Sequence, residues 1–335
     1  HGGKTNKLRA DAAMRQYAIG LLAAMFLAAI GAGPAAARDE VRIAAQYGLG
    51  YAPLFILAKK PEFLYKYAPN ADTRLVQLAG GAAVREALLS HSVDIGGLAM
   101  LPVIQAWAKG ANLKIALGLS DMPIQLITWR PDLKSVKDLK PDDKVNVISI
   151  GSPQTLVMKM AAMKYFGSPN ALDNHFVTMA HPDGIAAVIA KRDIVAEFAT
   201  PPYIRMLTKY PGMHVILSNK DFTQANFMLI CAAAGKRFVV GKPKLYAATI
   251  SALTDVIAWM NNKPKDAAAF LAAEQPGKLS PAAWLTEMQQ PGVRFTAAPN
   301  GLSNLAVFMA KIGMVAKTGS YDDLTWPNLH GQGGN

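Results

Sequence analysis

Three turns in this sequence have small residues where a strand is expected to end and a helix to begin. They are residues 48–51, Gly80-Gly81, and Gly151-Ser152 directly before Pro153. At such junctions the free backbone N–H groups and the helix dipole favour a negatively charged group, and glycine lets a ligand approach the backbone closely. Each turn by itself is equally consistent with a plain connection between two elements. Together they predict a site that holds an anionic or polar group from two sides.

The predicted binding cleft takes residues from strand-to-helix junctions in both halves of the chain. Two tyrosines would offer apolar faces with hydroxyl donors, and the glycines with Ser152 would offer N–H groups to an anion. The Ser152 hydroxyl can either cap its helix or donate to the anion. His181 precedes a helix that starts with proline and would be a donor with adjustable charge. The predicted lining residues are Tyr47, Tyr51, Gly80, Gly81, Ala99, Gly151, Ser152, Gln154, His181 and Thr200.

Patterns that would indicate catalysis are missing from the sequence. It has no H-E-x-x-H, G-x-S-x-G or Walker A motif, and Gly48-Leu49-Gly50 is followed by Pro53 where a dinucleotide-binding motif needs its third glycine. His175 and His181 stand six residues apart across a strand end, a spacing that does not present two metal ligands on one face. We therefore expect a binding protein with no catalytic residue, no metal and no cofactor, and not an enzyme.

The elements that must position these residues alternate between strands and helices, which indicates an α/β fold with mainly parallel sheets. The pattern restarts after Arg130-Pro131, and from about residue 243 the chain becomes mostly helical. We predict two α/β lobes joined by two crossings, near residues 129–131 and 219–226. Lobe one would comprise residues 39–130 plus 225–335, with a helical C-terminal tail, and lobe two residues 131–224.

Residues 1–37 have the pattern of a secretory signal peptide with upstream residues. Arg15 precedes an apolar run over residues 17–30, a Gly/Pro stretch, and Ala35-Ala36-Ala37. The alternative is a membrane anchor, but the run is shorter than the ~20 residues that a spanning helix needs. We expect cleavage near Ala37 and a location in the periplasm. The lone cysteine, Cys231, lies in an apolar run and is expected to be a small buried side chain rather than a lipid attachment site or half of a disulfide.

The formal net charge is +12, which raises the question of an anionic partner. Nucleic acid is not expected, because the basic residues are spread along the chain without interleaved aromatic residues and the chain is expected to be exported. The alternatives are an ordinary hydrated basic surface or a field that attracts small anions.

Several segments in this order resemble the substrate-binding proteins of nitrate/sulfonate/taurine-type ABC importers, a family related to thiamine-pyrimidine synthases. The resemblance covers nearly all of the chain after residue 37, and the segments that carry it are 47–54 (YGLGYAPL), 80–96 (GGAAVREALLSHSVDIG), 180–183 (AHPD), 200–203 (TPPY), 293–296 (VRFT) and 326–330 (WPNLH).

This resemblance implies a type II periplasmic-binding-protein fold, in which two lobes close on a small ligand. It implies capture of a small organic anion (a sulfonate, a nitrate-like ion or a carboxylate) for an ABC permease at the inner membrane, by a monomer without a cofactor. The alternative is a pyrimidine-precursor-binding protein or a synthase-like enzyme on the same fold. Those synthases use a cysteine cluster, and the single cysteine here argues against the enzyme. A sensor whose closed form docks on a receptor is a third possibility.

One position departs from the pattern of that family, because many members have a histidine where Glu197 stands. An acid that faced the cleft would disfavour a sulfonate and favour a ligand with a cationic or hydrogen-donating group. The other possibility is that Glu197 points away from the cleft.

Overall fold

Strands and helices alternate through most of the chain, as the sequence predicts. The structure, a computed structural model, describes residues 38–222, 230–275 and 279–331. The predicted signal peptide lies outside these residues and stays a prediction. The strands are β1 (Asp39–Ala45), β2 (Ala71–Gln77), β3 (Ile95–Ala99), β4 (Leu113–Asp121), β5 (Gln125–Thr128), β6 (Lys144–Asn146), β7 (Phe176–Val177), β8 (Ile194–Ala199), β9 (His214–Ser218), β10 (Ile230–Gly235) and β11 (Arg294–Phe295).

The helices follow the strands in the first two thirds of the chain and then succeed one another, which accounts for the predicted helical tail. None of the described helices is both long and apolar enough to cross a membrane. The helices are α1 (Ala52–Lys59), α2 (Glu62–Tyr65), α3 (Gly81–Leu89), α4 (Met100–Ala108), α5 (Pro153–Phe166), α6 (His181–Ile189), α7 (Tyr203–Thr208), α8 (Lys236–Gly241), α9 (Pro243–Asn262), α10 (Pro264–Glu274), α11 (Pro281–Met288), α12 (Leu302–Lys311) and α13 (Tyr321–Leu324).

The strands form two sheets that repeat one topology. The first sheet has the order β11-β4-β10-β3-β1-β2 and the second has the order β7-β6-β8-β5-β9. Five strands of the first sheet, in the order β2-β1-β3-β10-β4, correspond one by one to β7-β6-β8-β5-β9 of the second. In each series, the fourth strand comes from outside the run of strands and helices that forms the rest of the series, and it is inserted between two of them. The inserted strand is β10 in the first sheet and β5 in the second.

The expectation of mainly parallel sheets needs a correction at these inserted strands. β1 and β3 are parallel, as are β6 with β7 and β6 with β8. However, β10 runs antiparallel to β3 and β4, and β5 runs antiparallel to β8 and β9. The reason is that neither inserted strand belongs to a strand–helix–strand unit, and it is this connection that enforces parallel pairing.

The two inserted strands also show where the chain passes between the sheets. β4 belongs to the first sheet and β5 to the second, so the first passage is at residues 122–124. The sequence-based boundary after residue 130 assigns β5 to lobe one, whereas its hydrogen bonds join it to the second sheet. The division into two lobes remains a proposal, with lobe two now starting near residue 125.

Apolar burial stabilises the centre of the first sheet. Strand β3 is buried along its whole length, and β10 is buried from Ile230 to Ala234, as expected for strands covered on both faces. Cys231 on β10 is fully buried, and its thiol donates a hydrogen bond to the Leu98 carbonyl at 3.4 Å. The full burial of Cys231 confirms its predicted role as a small core residue, and burial also raises the pKa of this thiol.

Candidate functional site

A small cavity lies where the N-termini of α3 and α4, which flank the first sheet, meet those of α5 and α6, which flank the second. Its volume is about 40 Å³, and because one buried water needs at least ~10–15 Å³, it has room for a few non-hydrogen atoms. The lining residues are Gln46, Gly50, Tyr51, Gly81, Ala99, Pro102, Met122, Ile124, Ile148, Ser149, Ser152, Pro153, Gln154, His181, Thr200 and Ile230. Four helix N-termini make this a place that favours negative charge.

Helix α5 begins at the cavity because Ser152 caps it and Pro153 occupies its first turn. The Ser152 hydroxyl accepts a hydrogen bond from the Thr155 amide at 3.2 Å and donates one to the Val147 carbonyl at 2.7 Å. Its proton is therefore engaged within the protein. Of the two roles expected for the Ser152 hydroxyl, the structure shows the helix cap. Donation to a ligand is not available, because the hydroxyl already donates to the Val147 carbonyl.

Three other polar side chains at the cavity form no hydrogen bond with a described residue. They belong to Tyr51, Ser149 and Gln154. Gln154 is only 6% exposed as a residue, but its amide is not among the fully buried polar atoms that lack a partner in the described structure, so the amide keeps access to the cavity. Burial raises the pKa of the Tyr51 phenol, so this hydroxyl remains a donor. These groups can satisfy a ligand with several hydrogen-bond acceptors.

His181, the first residue of α6, is held in place from two sides. Its Nδ1 lies 2.7 Å from Oε1 of Glu197, and its ring stacks on Tyr203 with the ring centroids 4.9 Å apart. Its Nε2 lies 3.2 Å from the Thr200 hydroxyl, which also lines the cavity. The histidine is 5% exposed. Its orientation is thus fixed before any ligand arrives.

Glu197 on β8 stands behind this histidine. Its side chain is fully buried, and its Oε2 accepts a hydrogen bond from Nδ2 of Asn146 at 2.6 Å. Burial is the dominant effect on this carboxyl and raises its pKa, while His181 and Asn146 oppose that rise. Glu197 therefore does not touch a ligand in the cavity, and any effect of its charge on the ligand passes through His181.

The segment before α1 and the segment before α7 are in tight contact beside Thr200. The Leu49 amide donates to the Pro201 carbonyl at 2.9 Å. Gly48 has a φ of 120°, and a Cβ at this position would lie 3.3 Å from the Thr200 hydroxyl oxygen. A side chain here would be strained in its backbone conformation and would crowd Thr200.

Ile148 also lines the cavity, and its backbone is in a strained conformation. Its φ of 65° is unusual for a β-branched residue, and strained residues of this kind concentrate at functional sites. Ile148 and Ser149 also line a larger neighbouring cavity of about 860 Å³. The strained segment thus separates the small cavity from the larger one.

The structure brings together most, but not all, of the residues predicted from the sequence. Seven of the ten line the small cavity: Tyr51, Gly81, Ala99, Ser152, Gln154, His181 and Thr200. Gly80 and Gly151 line the larger cavity instead, and Tyr47 packs against the apolar cluster of the second sheet. Tyr47 is not at the cavity because its ring packs against that cluster, which contains Ala199, Tyr203 and Ile204.

Sequence reasoning missed several lining residues. Gln46 follows β1 and Ser149 lies just after β6, so the strand-end signal that identified their neighbours applied to them too. Met122 and Ile124 lie in the passage between the sheets and Ile230 begins β10. These three carried no local signal, since their place depends on the inserted strands.

The cavity lacks permanent charges in the described part of the chain. No lysine or arginine is among its described lining residues, and those residues contain no group of His, Cys, Asp and Glu that could hold a metal ion. A charged ligand would therefore depend on helix N-termini, neutral donors and the His181–Glu197 pair.

Among known proteins, the chain is similar to solved structures that share one fold. No protein-family model matches the sequence, and no curated protein is significantly similar to it. Among solved structures, the alkanesulfonate-binding protein SsuA from Xanthomonas axonopodis pv. citri, bound to MOPS, is 18% identical with a TM-score of 0.68, covering 87% of this chain and 99% of that one.

Two further structures agree with it. The periplasmic aliphatic sulphonate-binding protein SsuA from Escherichia coli is 21% identical with a TM-score of 0.62, covering 87% of this chain and 98% of that one. The periplasmic nitrate-binding protein NrtA from Synechocystis PCC 6803 is 14% identical with a TM-score of 0.67, covering 87% of each chain. The chain therefore has the fold of periplasmic binding proteins, which confirms the predicted fold class, and the similar structures include the kinds of protein that the sequence resembles.

Proposed function

We propose that this protein is the solute-binding component of an ABC importer and captures a small organic anion by closure of two lobes. The observation that carries the proposal is the cavity at four helix N-termini, which is lined by Gln154, a side chain that has no hydrogen-bond partner among the described residues. Ligands of open α/β sheets bind at such strand ends. Ligand contacts from both sides would favour the closed arrangement.

The size of the cavity supports a ligand whose charged group is small. A volume of about 40 Å³ suits a nitrate ion or the head group of a sulfonate or carboxylate. The remainder of a larger organic anion would extend past Ile148 towards the neighbouring cavity of about 860 Å³. The partner would be the permease at the inner membrane, and the working location the periplasm after removal of residues 1–37.

A second candidate, a pyrimidine precursor, is favoured by one observation. The described lining has no lysine or arginine, and a neutral heterocycle would use the same amide, phenol and hydroxyl groups without needing charge compensation. In the synthase-like enzyme, by contrast, a cysteine cluster would be required, and the single thiol of this chain is buried in the first sheet. A binding role for the site is therefore preferred over catalysis.

The test is native mass spectrometry of the purified protein, followed by a thermal-shift screen of sulfonates, nitrate, carboxylates and pyrimidines. A ligand present at one hundred times its dissociation constant adds ~2.7 kcal/mol to the free energy of unfolding, a readily visible shift. We expect an anion to give the largest shift. A shift by pyrimidines alone would favour the second candidate, and no shift with any compound would contradict a solute-binding role for these ligand classes.

A further inference from the structure

A continuous chain of hydrogen bonds runs from the core of the second sheet to the cavity. It begins at Asn146, whose Oδ1 accepts from the amides of Met179 at 2.9 Å and Ile148 at 3.2 Å. These two backbone donors fix the orientation of the Asn146 side chain, so its Nδ2 must donate, and it donates to Glu197. The carboxylate oxygen that faces Asn146 is thereby held as an acceptor.

The next link fixes the tautomer of the histidine. The other Glu197 oxygen faces Nδ1 of His181 at 2.7 Å, and a buried carboxylate is stabilised by a donor there. Nδ1 therefore carries a proton in the paired state, and only Nε2 can gain or lose one. Nε2 faces the Thr200 hydroxyl at 3.2 Å, its one described hydrogen-bond partner.

The charge of His181 determines whether the Thr200 hydroxyl faces the cavity as a hydrogen-bond acceptor or as a donor. When the imidazole is neutral, Nε2 accepts the Thr200 proton, and only lone pairs of the hydroxyl face the ligand. When the imidazole is protonated, Nε2–H donates to the hydroxyl oxygen, and the hydroxyl proton must turn to another acceptor. The cavity then presents a donor with a positive charge behind it.

Other titratable groups near His181 do not compete for this role. Tyr203 stacks on the ring, and burial raises the pKa of its phenol, with smaller contributions from Tyr47 and Glu197. Tyr51, across the cavity, is likewise kept protonated by burial. Glu197 is the one acid in direct contact with the imidazole in the described structure, and no lysine or arginine is among the described residues that line the cavity.

We propose that His181, Glu197 and Thr200 form a proton-coupled recognition unit, in which an anion binds to the Thr200 hydroxyl while His181 is an imidazolium, so that binding takes up a proton from solvent. The inference rests on the proposed function, the binding of a small anion in this cavity. The proton comes from bulk water and is bound at Nε2, and it is released when the anion leaves. Coupling of this kind is reciprocal, so the affinity for the anion must rise as the pH falls. Thr200 contacts the ligand, and Glu197 is a positioning residue that acts through His181.

The test is calorimetric titration with methanesulfonate, nitrate and acetate, whose charges are constant between pH 6 and 9. We expect the affinity for the anion that binds to increase with falling pH, at a limiting slope of about tenfold per pH unit for one proton. At pH 8 the heat of binding should differ between triethanolamine and Tris, because the buffer supplies the proton and neither of these amines is an anion that could compete for the site. An affinity and a heat that do not depend on pH or buffer would overturn the inference and leave the proposed function intact. Absence of binding by all three anions would contradict both.

Variants separate a proton-coupled role from a structural one. In Glu197→Gln the amide can donate to Nδ1, which selects the neutral imidazole with hydrogen on Nε2, so the anion should still bind but without dependence on pH or buffer. Glu287→Gln is the matched control, because it neutralises another fully buried carboxylate that does not line the cavity, and it should keep the wild-type dependence. If Glu197→Gln weakens binding and yet keeps the full pH dependence, Glu197 is merely structural and the inference is wrong.

A second variant, Thr200→Val, tests whether the Thr200 hydroxyl contacts the ligand. It should weaken binding of the same anion about tenfold or more, whereas Thr128→Val, which removes a buried hydroxyl bonded to the Val195 carbonyl, should leave the affinity unchanged. Equal affinities in these two variants would exclude Thr200 as the contact with the ligand.

Discussion

Two buried carboxylates of this protein, Glu197 and Glu287, have partners of opposite character. Both side chains are fully buried, and burial raises the pKa of each. Glu197 pairs with a histidine that borders the cavity, whereas Glu287 on α11 accepts from Arg205 on α7 and, at 2.7 Å, from Gln290. A histidine can change its charge near neutral pH and an arginine cannot. The first pair is suited to sense a ligand, and the second to join two helices permanently.

The comparison teaches that burial of an acid does not by itself identify a functional site. What distinguishes Glu197 is the path from its partner His181 through Thr200 to the cavity. Glu287 has no such path, because Arg205 leads to the α7 surface, where its side chain is 35% exposed. Changes to the two pairs should therefore separate into effects on stability and effects on binding.

The largest effect is expected from Arg205→Met. Without the guanidinium, Glu287 must remain charged in a buried place without its partner or take up a proton. Loss of one partner of a buried pair costs ~3–5 kcal/mol, and because Arg205 is partly exposed we expect about 3 kcal/mol. Urea unfolding measures this. The double variant Arg205→Met/Glu287→Gln should recover most of the lost free energy of unfolding. If it is as unstable as Arg205→Met alone, the loss does not come from breaking this pair.

A somewhat smaller effect is expected from Gly184→Ala. Gly184 on α6 packs against Asn146 and Glu197 so closely that a Cβ would overlap both side chains. Overpacking of this kind typically costs ~1–3 kcal/mol, and here it would also displace the acid behind His181. We expect lower stability together with weaker anion binding. Gly167→Ala is the control for a glycine with open space around it, and it should affect stability through its left-handed backbone (φ 73°) without changing the affinity.

The smallest effect concerns the pH dependence of stability. The pKa of Glu287 is raised from its ordinary value of 4.5, so the folded state binds this proton more tightly than the unfolded state. Its contribution is fully present below about pH 4.5 and is lost as the pH rises through the raised value. Glu287→Gln should therefore flatten the decline of the unfolding free energy above pH 4.5. An unchanged slope in urea titrations from pH 4.5 to 7.5 would contradict the stated direction.

Local signals in the sequence predicted the parts of the fold and site that depend on local structure. The sequence identifies Gly81, Gln154 and His181 because each stands in the first turn of a helix that follows a strand, and turn residues mark such junctions. The places of β5 and β10 could not be found in this way. Their pairing is decided by how the chain passes between the sheets, which no residue pattern near them expresses.

The orientation of Glu197 shows a second limit. All six residues of β8 are buried, so the strand lacks the alternation that would assign one side to the cleft. The contact with His181 and the hydrogen bond from Asn146 arise only when β6, β8 and α6 pack together. Likewise, the engagement of Ser152 with the Val147 carbonyl follows from the turn geometry and not from the serine itself.

The most direct test of the central claim, that the cavity at the four helix N-termini holds the ligand, is calorimetry on Gln154→Leu. The Gln154 side chain lines the cavity and has no hydrogen-bond partner among the described residues, so its amide should donate to the anion that the ligand screen identifies. Loss of a hydrogen bond to a charged group costs ~1.5–3 kcal/mol, and the affinity should fall at least about tenfold. Gln125→Leu, on β5 and at a separate surface cavity beside Arg205, should bind as the wild type does. Equal affinities in the two variants would contradict the account and place the ligand elsewhere.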